Sequence, residues 1–303
     1  MTSSNTERRR PACRRRADGL GIARLAAIWL LIGGPLLLSA AFMVAYSVGL
    51  TGLLAHGLSF AAWAKVLGDR VTWVTLGFSF WVGGASLGVS MLGALIVLAR
   101  RPARAAPPGR SDLTPWFLPI AVPPMVAGLS AVLWLGNAGA LARWAYALGW
   151  IRRPADFPSP IYSTGGLGII VTQAALVLPF LVVLFDRLSR VHRIRELGEA
   201  ARTLGASPLA AWIRVGVPLL LRAATPTLGV YFLALSGAFE IPLLVGATYP
   251  TMLSVRVAQL FGQFDLSTRP QAYALALLYA LVASVCAAVA LRVRARPPRT
   301  ERV

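Results

Sequence analysis

Few residues in this chain of 303 could do chemistry. Its single lysine, Lys65, stands in Ala64-Lys65-Val66, whereas a phosphate-cradling loop needs Gly-x4-Gly-Lys-Ser/Thr. His56 and His192 lie far apart, and neither has a Cys or His at ligand spacing. Cys13 and Cys286 form neither a disulfide framework nor a metal site. No His-Glu-x-x-His, no paired Asp at span depth and no Ser and His on one span suggest hydrolysis. An enzyme reading therefore has little support, and no metal or bound cofactor is expected.

Two places remain. The first is the polar interval from Asp186 to Thr225, which carries Glu199-Ala200-Ala201, then Gly205, then Val215-Gly216-Val217-Pro218. The second is Glu240, an acid in the apolar run Ala238-Phe239-Glu240-Ile241-Pro242. Chemistry at either would be contact and charge, with no bond broken.

In the first interval, Arg187 to Leu204 has apolar residues at Leu188, Val191, Leu197, Ala200, Ala201 and Leu204, enough for an amphipathic helix. Gly205 ends it, since a left-handed residue past a helix is most cheaply glycine. Ser207 and Pro208 then supply an N-cap and a first-turn proline, with Leu209, Trp212 and Ile213 as the apolar face of a second short helix. The expected product is a helix-turn-helix outside the membrane, with a compact elbow at Gly205.

The spacing of Glu199-Ala200-Ala201, Gly205 and Pro218 resembles the EAA loop of the permease subunits of binding-protein-dependent ABC importers. Val215 and Val217 replace the Ile and Leu usual before the proline and keep an aliphatic surface. The resemblance implies an all-α, MetI-like membrane fold with six transmembrane helices and a cytoplasmic coupling loop over 187–224. It implies that the elbow fits a cleft on a separate ATPase, with Glu199 at the rim and Gly205 as hinge. Ala200, Ala201, Ser207, Pro208 and Pro218 complete that coupling set. ATP and Mg would be used by the partner ATPase. The other implied partners are a second permease, identical or homologous, and a soluble solute-binding protein.

The elements that hold these residues follow from composition. Hydrophobic residues make up 57% of the chain and charged residues 14%, so the hydrocarbon of a bilayer must solvate much of it. The net charge of +19 does not indicate nucleic acid, because the arginines cluster beside apolar segments. A crossing helix needs roughly 20 mostly apolar residues. Segments near 24–48, 72–99, 115–139, 166–186, 225–247 and 270–291 qualify. The second holds Gly84 and Gly88 among Ser79, Ser86 and Ser90, small residues that admit a close neighbour. The third begins among Pro115, Pro119, Pro123 and Pro124 and should be bent or broken.

Residues 1–21 and 293–303 read as basic cytoplasmic tails flanking a six-span domain over 22–292. About 23 of the 30 Lys and Arg fall on the side of the tails and the Glu199 loop. The positive-inside rule then makes both termini and that loop cytoplasmic, in a multi-pass protein of the bacterial inner membrane. Opposite them, the aromatic loop 140–165, with Ser59–Leu67 and Thr251–Gly262, is an interfacial belt or, by the resemblance, the face for the solute-binding protein.

A charge at the middle of a span costs about 2.5 to 3.5 kcal/mol on insertion scales, so Glu240 should face the bundle or water. It is either a path or gate residue, favouring a cationic solute, or an acid near the outer end, hydrated or paired with Arg256. Pro242 would loosen the helix beside it. Gln173 and Thr172, with Asn137, line the path or hydrogen-bond between helices. The stretch from Phe239 to Gly246 resembles the polyamine, iron, thiamine and sulfate group of permeases, with a sugar-type permease as the alternative. A non-transporting scaffold and a channel are the rivals from other classes.

Overall fold

A computed structural model describes residues 12–52, 57–100 and 114–294. The outer parts of both basic tails, His56 and the arginines at 101–110 lie outside the described residues. Among those described there is no strand, and six apolar stretches are long enough to cross a bilayer.

Helix α1 (Ala12–Ser47) supplies the first span and turns Trp29, Leu30, Leu31, Leu36, Leu37 and Leu38 outward, as a lipid-facing helix should. Short α2 (Ala61–Gly68) leads through Asp69, whose side chain accepts from the Val71 N–H, into α3 (Arg70–Ala99). An Asp at this N-cap satisfies one of the donors that a helix start leaves open.

The third span is broken where its prolines predict. Helix α4 (Thr114–Ile120) stops, Pro123 takes an extended ψ of 143°, and α5 (Pro124–Leu135) starts with Pro124 at its first turn. Gly136 ends α5, and α6 (Ala140–Ala147) extends the apolar stretch to Pro124–Ala147, later than the expected 115–139. Helix α7 (Leu167–Val191) is the fourth span. After α8 (Ile194–Thr203) and α9 (Pro208–Ala211), the fifth is α10 (Val217–Ser236), then α11 (Glu240–Val245) beyond a break at 237–239. Helix α12 (Leu253–Phe261) precedes α13 (Arg269–Arg294), the sixth span.

Helices α3, α7 and α10 form the centre. Val82 and Ser79, Ser86 and Ser90 of α3 are fully buried, as are Leu181, Val182 and Phe185 of α7 and Leu220 and Ala224 of α10. The close approach falls at Gly83 rather than at Gly84 or Gly88. A Cβ at Gly83 would collide with the Ser236 hydroxyl and come 2.8 Å from the Ser236 nitrogen, whereas Gly88 faces open space. Around the rim, Phe42 and Tyr46 of α1 meet Tyr273 of α13, tying the first span to the last.

Candidate functional site

The interval between the fourth and fifth spans folds as an elbow. The helix expected from Arg187 to Leu204 is two helices. Residues 187–191 finish α7, and Arg193, held in the left-handed region at φ 48°, turns the chain before α8. Such a conformation costs a non-glycine residue energy, so a sharp redirection is built in at this point.

At the far end of α8 the turn closes as a Schellman motif. The Gly205 N–H donates to Arg202 O at 3.0 Å and the Ala206 N–H to Ala201 O at 3.1 Å, with Gly205 at φ +94°. Ser207 then caps α9, its hydroxyl accepting from the Ala210 N–H at 3.2 Å, and Pro208 takes the first helical position. The second helix does not stand alone. It continues through a π-turn, Trp212–Gly216, into α10, so the elbow is continuous with the fifth span.

Glu199, Gly205, Ser207 and Pro208 line one open depression of about 530 Å³, together with Arg202 and Thr203. Ala200 is exposed and Ala201 half-buried on the same helix, while Pro218 lies apart, exposed, in the first turn of α10. Arg195 and Glu199 pair at 3.4 Å, one turn apart and both exposed. A surface pair of this kind is worth little, so the Glu199 carboxylate is readily drawn to another partner. Arg190 and Asp186 pair at 3.0 Å, anchoring the end of α7.

The apolar face of α8 is the reverse of the one expected. Leu197 is 46% exposed and Leu204 90%, and Val191, Leu209 and Ile213 also point outward. Ile194 is the residue that goes in, 3% exposed, against the cluster that holds Phe185 and Leu220. Periodicity could not reveal this, because the redirection at Arg193 resets which side of the helix faces the bundle.

Glu240 opens α11, just past the break at 237–239. Its side chain is exposed and has no hydrogen-bond or ion-pair partner among the described residues, Arg256 included. Pro242 is buried two residues along. Gln173 sits elsewhere, 1% exposed inside the α3–α7–α10 junction. Ser86 Oγ lies 2.8 Å from its Oε1, and its Nε2 donates to Leu235 O at 3.4 Å. Both ends of this amide join helices, and Thr172 is satisfied within its own helix by Gly168 O. Glu240 and Pro242 thus share one short helix, whereas Gln173 is spent on holding α3 and α10 to α7.

At the end of the bundle opposite the elbow, Asn137, Arg143, Trp144, Ser159 and Tyr162 line a cavity of about 800 Å³. Nearby Tyr146 and Trp150 are exposed.

No family model matches the chain. It is 30% identical over 212 residues to the molybdenum transport system permease protein ModB of Mycobacterium tuberculosis, covering 70% of this chain and 72% of that one. It is 29% identical over 260 residues to the thiamine transport system permease protein ThiP of Brucella abortus, covering 84% of this chain and 43% of that one. Among solved structures, a bacterial ABC transporter involved in the import of the acidic polysaccharide alginate has a chain that superposes with a TM-score of 0.66 at 18% identity, covering 94% of this chain and 98% of that one. The same score holds, at 17% identity, for a bacterial alginate ABC transporter in complex with an alginate pentasaccharide-bound periplasmic protein.

Proposed function

The chain belongs to the permease subunits of binding-protein-dependent ABC importers, multi-pass proteins of the inner membrane, and from that membership we propose how it works. The elbow is the coupling element. Glu199, Gly205, Ser207 and Pro208 form its docking surface, with Ala200, Ala201 and Pro218 shaping it. A separate ATPase, using ATP and Mg, holds this surface in a cleft and moves it during its cycle. The elbow and both termini face the cytoplasm, and the cavity at Arg143 and Trp144 faces the solute-binding protein outside. Two permeases, identical or homologous, enclose the path, which opens alternately to either side.

The observation that carries this reading is the elbow itself: a capped turn whose tip is polar and open, and whose base runs without interruption into the fifth span. A solvated loop needs neither the rigid turn nor exposed Leu204, Leu209 and Ile213 beside it.

For the solute we propose a small charged or polar molecule of the polyamine, iron, thiamine or sulfate type. An unpaired acid at Glu240 supports a cationic member of that set, with Pro242 fixing the backbone beside it. Gln173 contributes by holding the helices around the path. A sugar-type solute is the alternative within the family.

Purification of the tagged chain in mild detergent, with mass spectrometry of its companions, tests the proposal. An ATPase that is recovered with the native chain and lost on Glu199→Arg supports it. A chain that purifies alone, under conditions that preserve other importers, points to a scaffold or a channel.

A further inference from the structure

The base of the elbow has a feature that docking alone does not require. Over Trp212–Gly216 the backbone widens into a π-turn, and the Val217 N–H reaches back to Trp212 O. Pro218 accounts for it. In an unbroken helix a residue at 218 would donate to Arg214 O, but proline has no N–H and its ring crowds that carbonyl. The ladder gives way just upstream, and the wider turn takes up one additional residue. Such an insertion rotates all that precedes it by roughly 100° about the helix axis.

Gly216 supplies the second observation. Its φ of −65° is ordinary for a helix, so glycine is present for room. A Cβ there would come 2.7 Å from Trp212 Cε3 and 3.4 Å from Ile194 Cγ2. The indole of Trp212 is therefore seated on Gly216, beside the first residue of α8. Ile194 in turn belongs to the buried cluster shared by Leu95 of α3, Phe185 of α7 and Leu220 of α10, against which Trp212 packs.

We propose that Pro218 and Trp212 are positioning residues of the coupling. Pro218 sets the angular direction of the elbow by forcing the π-turn. Trp212, seated on Gly216 and packed against the cluster that holds Ile194, clamps the elbow to α3, α7 and α10. A displacement of the tip is then delivered to the spans and not lost in bending at the base. Neither residue touches solute or nucleotide. The inference rests on the coupling function proposed above.

The test uses the full-length chain with Cys13 and Cys286 replaced by serine, in lipid nanodiscs, both alone and with its ATPase. Spin labels at Leu209 and Val230, both exposed, lie roughly 30 Å apart along the helix axis. The native chain should give one narrow distance, unchanged when ATP and vanadate trap the complex. Trp212→Ala should broaden that distribution, Trp212→Phe should restore it, and Pro218→Ala should shift its mean.

In the complex, the maleimide reaction rate of Leu243→Cys should respond to ATP and vanadate. Trp212→Ala should shrink that response by about fivefold or more, within the usual range of coupling between sites, and Trp212→Phe should preserve it. Should Trp212→Ala not yield folded chain, Gly216→Ala displaces the ring by one methyl and is read in the same way. An unchanged width and an unchanged response in Trp212→Ala would overturn the clamp, and an unchanged mean in Pro218→Ala would overturn the role of the π-turn. Failure of any ATPase to bind the native chain removes the coupling function alone, because the distances in the isolated chain still decide the clamp.

Discussion

Gly205 and Glu240 show how one residue can be required for its backbone or for its charge. At Gly205 a Cβ would meet nothing within 4 Å, so the only obstacle to a side chain is its φ of +94°. Gly205→Ala should therefore destabilise the turn by about 1–2 kcal/mol, the usual cost of a left-handed L-residue. Gly205→Asn should recover part of it, since asparagine tolerates that region. Thermal unfolding of the purified chain, compared with ATPase binding, separates the two variants. Normal binding by Gly205→Pro would remove the turn from the coupling function. At Glu240 the backbone is ordinary and the carboxylate has no partner among the described residues. Glu240→Gln keeps the shape and removes the charge, so uptake of a cationic solute such as thiamine should fall in rate or affinity while the complex stays intact. Unchanged kinetics would leave Glu240 a structural acid at a helix start.

At the scale of elements, the α3–α7–α10 junction should respond to volume at one glycine and ignore it at another. Gly83→Val must push against the Ser236 backbone, and overpacking of that kind costs about 1–3 kcal/mol. Gly88→Ala faces open space and should be neutral. Gln173→Leu deletes two bonds between helices, each worth roughly 0.6–1.7 kcal/mol in a membrane protein. Unfolding titrations of the three variants in one detergent check the order. Much of this element scale was legible beforehand. The six apolar segments, the proline break before α5 and the glycine, serine and proline of the elbow all follow from local rules. What was not legible depends on tertiary contact. Nothing local distinguishes Gly83 from Gly84, because only the path of α10 decides which faces Ser236. The inward turn of Ile194 depends on Arg193 adopting a conformation that no pattern of arginines reveals. Gln173 could equally have lined a path until Ser86 and Leu235 were seen to occupy both ends of its amide. The π-turn had its signal in Pro218, but a proline near a helix start more often begins a new helix than widens an old one.

Across the whole molecule, three packed spans connect the elbow at one end of the bundle to an acid at a helix break. The coupling function proposed above requires that the elbow be seated on an ATPase. A photoreactive amino acid at Leu204, 90% exposed beside the turn, tests this in intact membranes. The same probe at Trp150, 77% exposed at the opposite end, serves as its control. Cross-linking followed by mass spectrometry should join Leu204 to a polypeptide carrying the Gly-x4-Gly-Lys-Ser/Thr loop that this chain lacks, and should join Trp150 to none. If Leu204 yields only lipid adducts while Trp150 captures the polypeptide with that phosphate-binding loop, the elbow does not couple this permease to ATP.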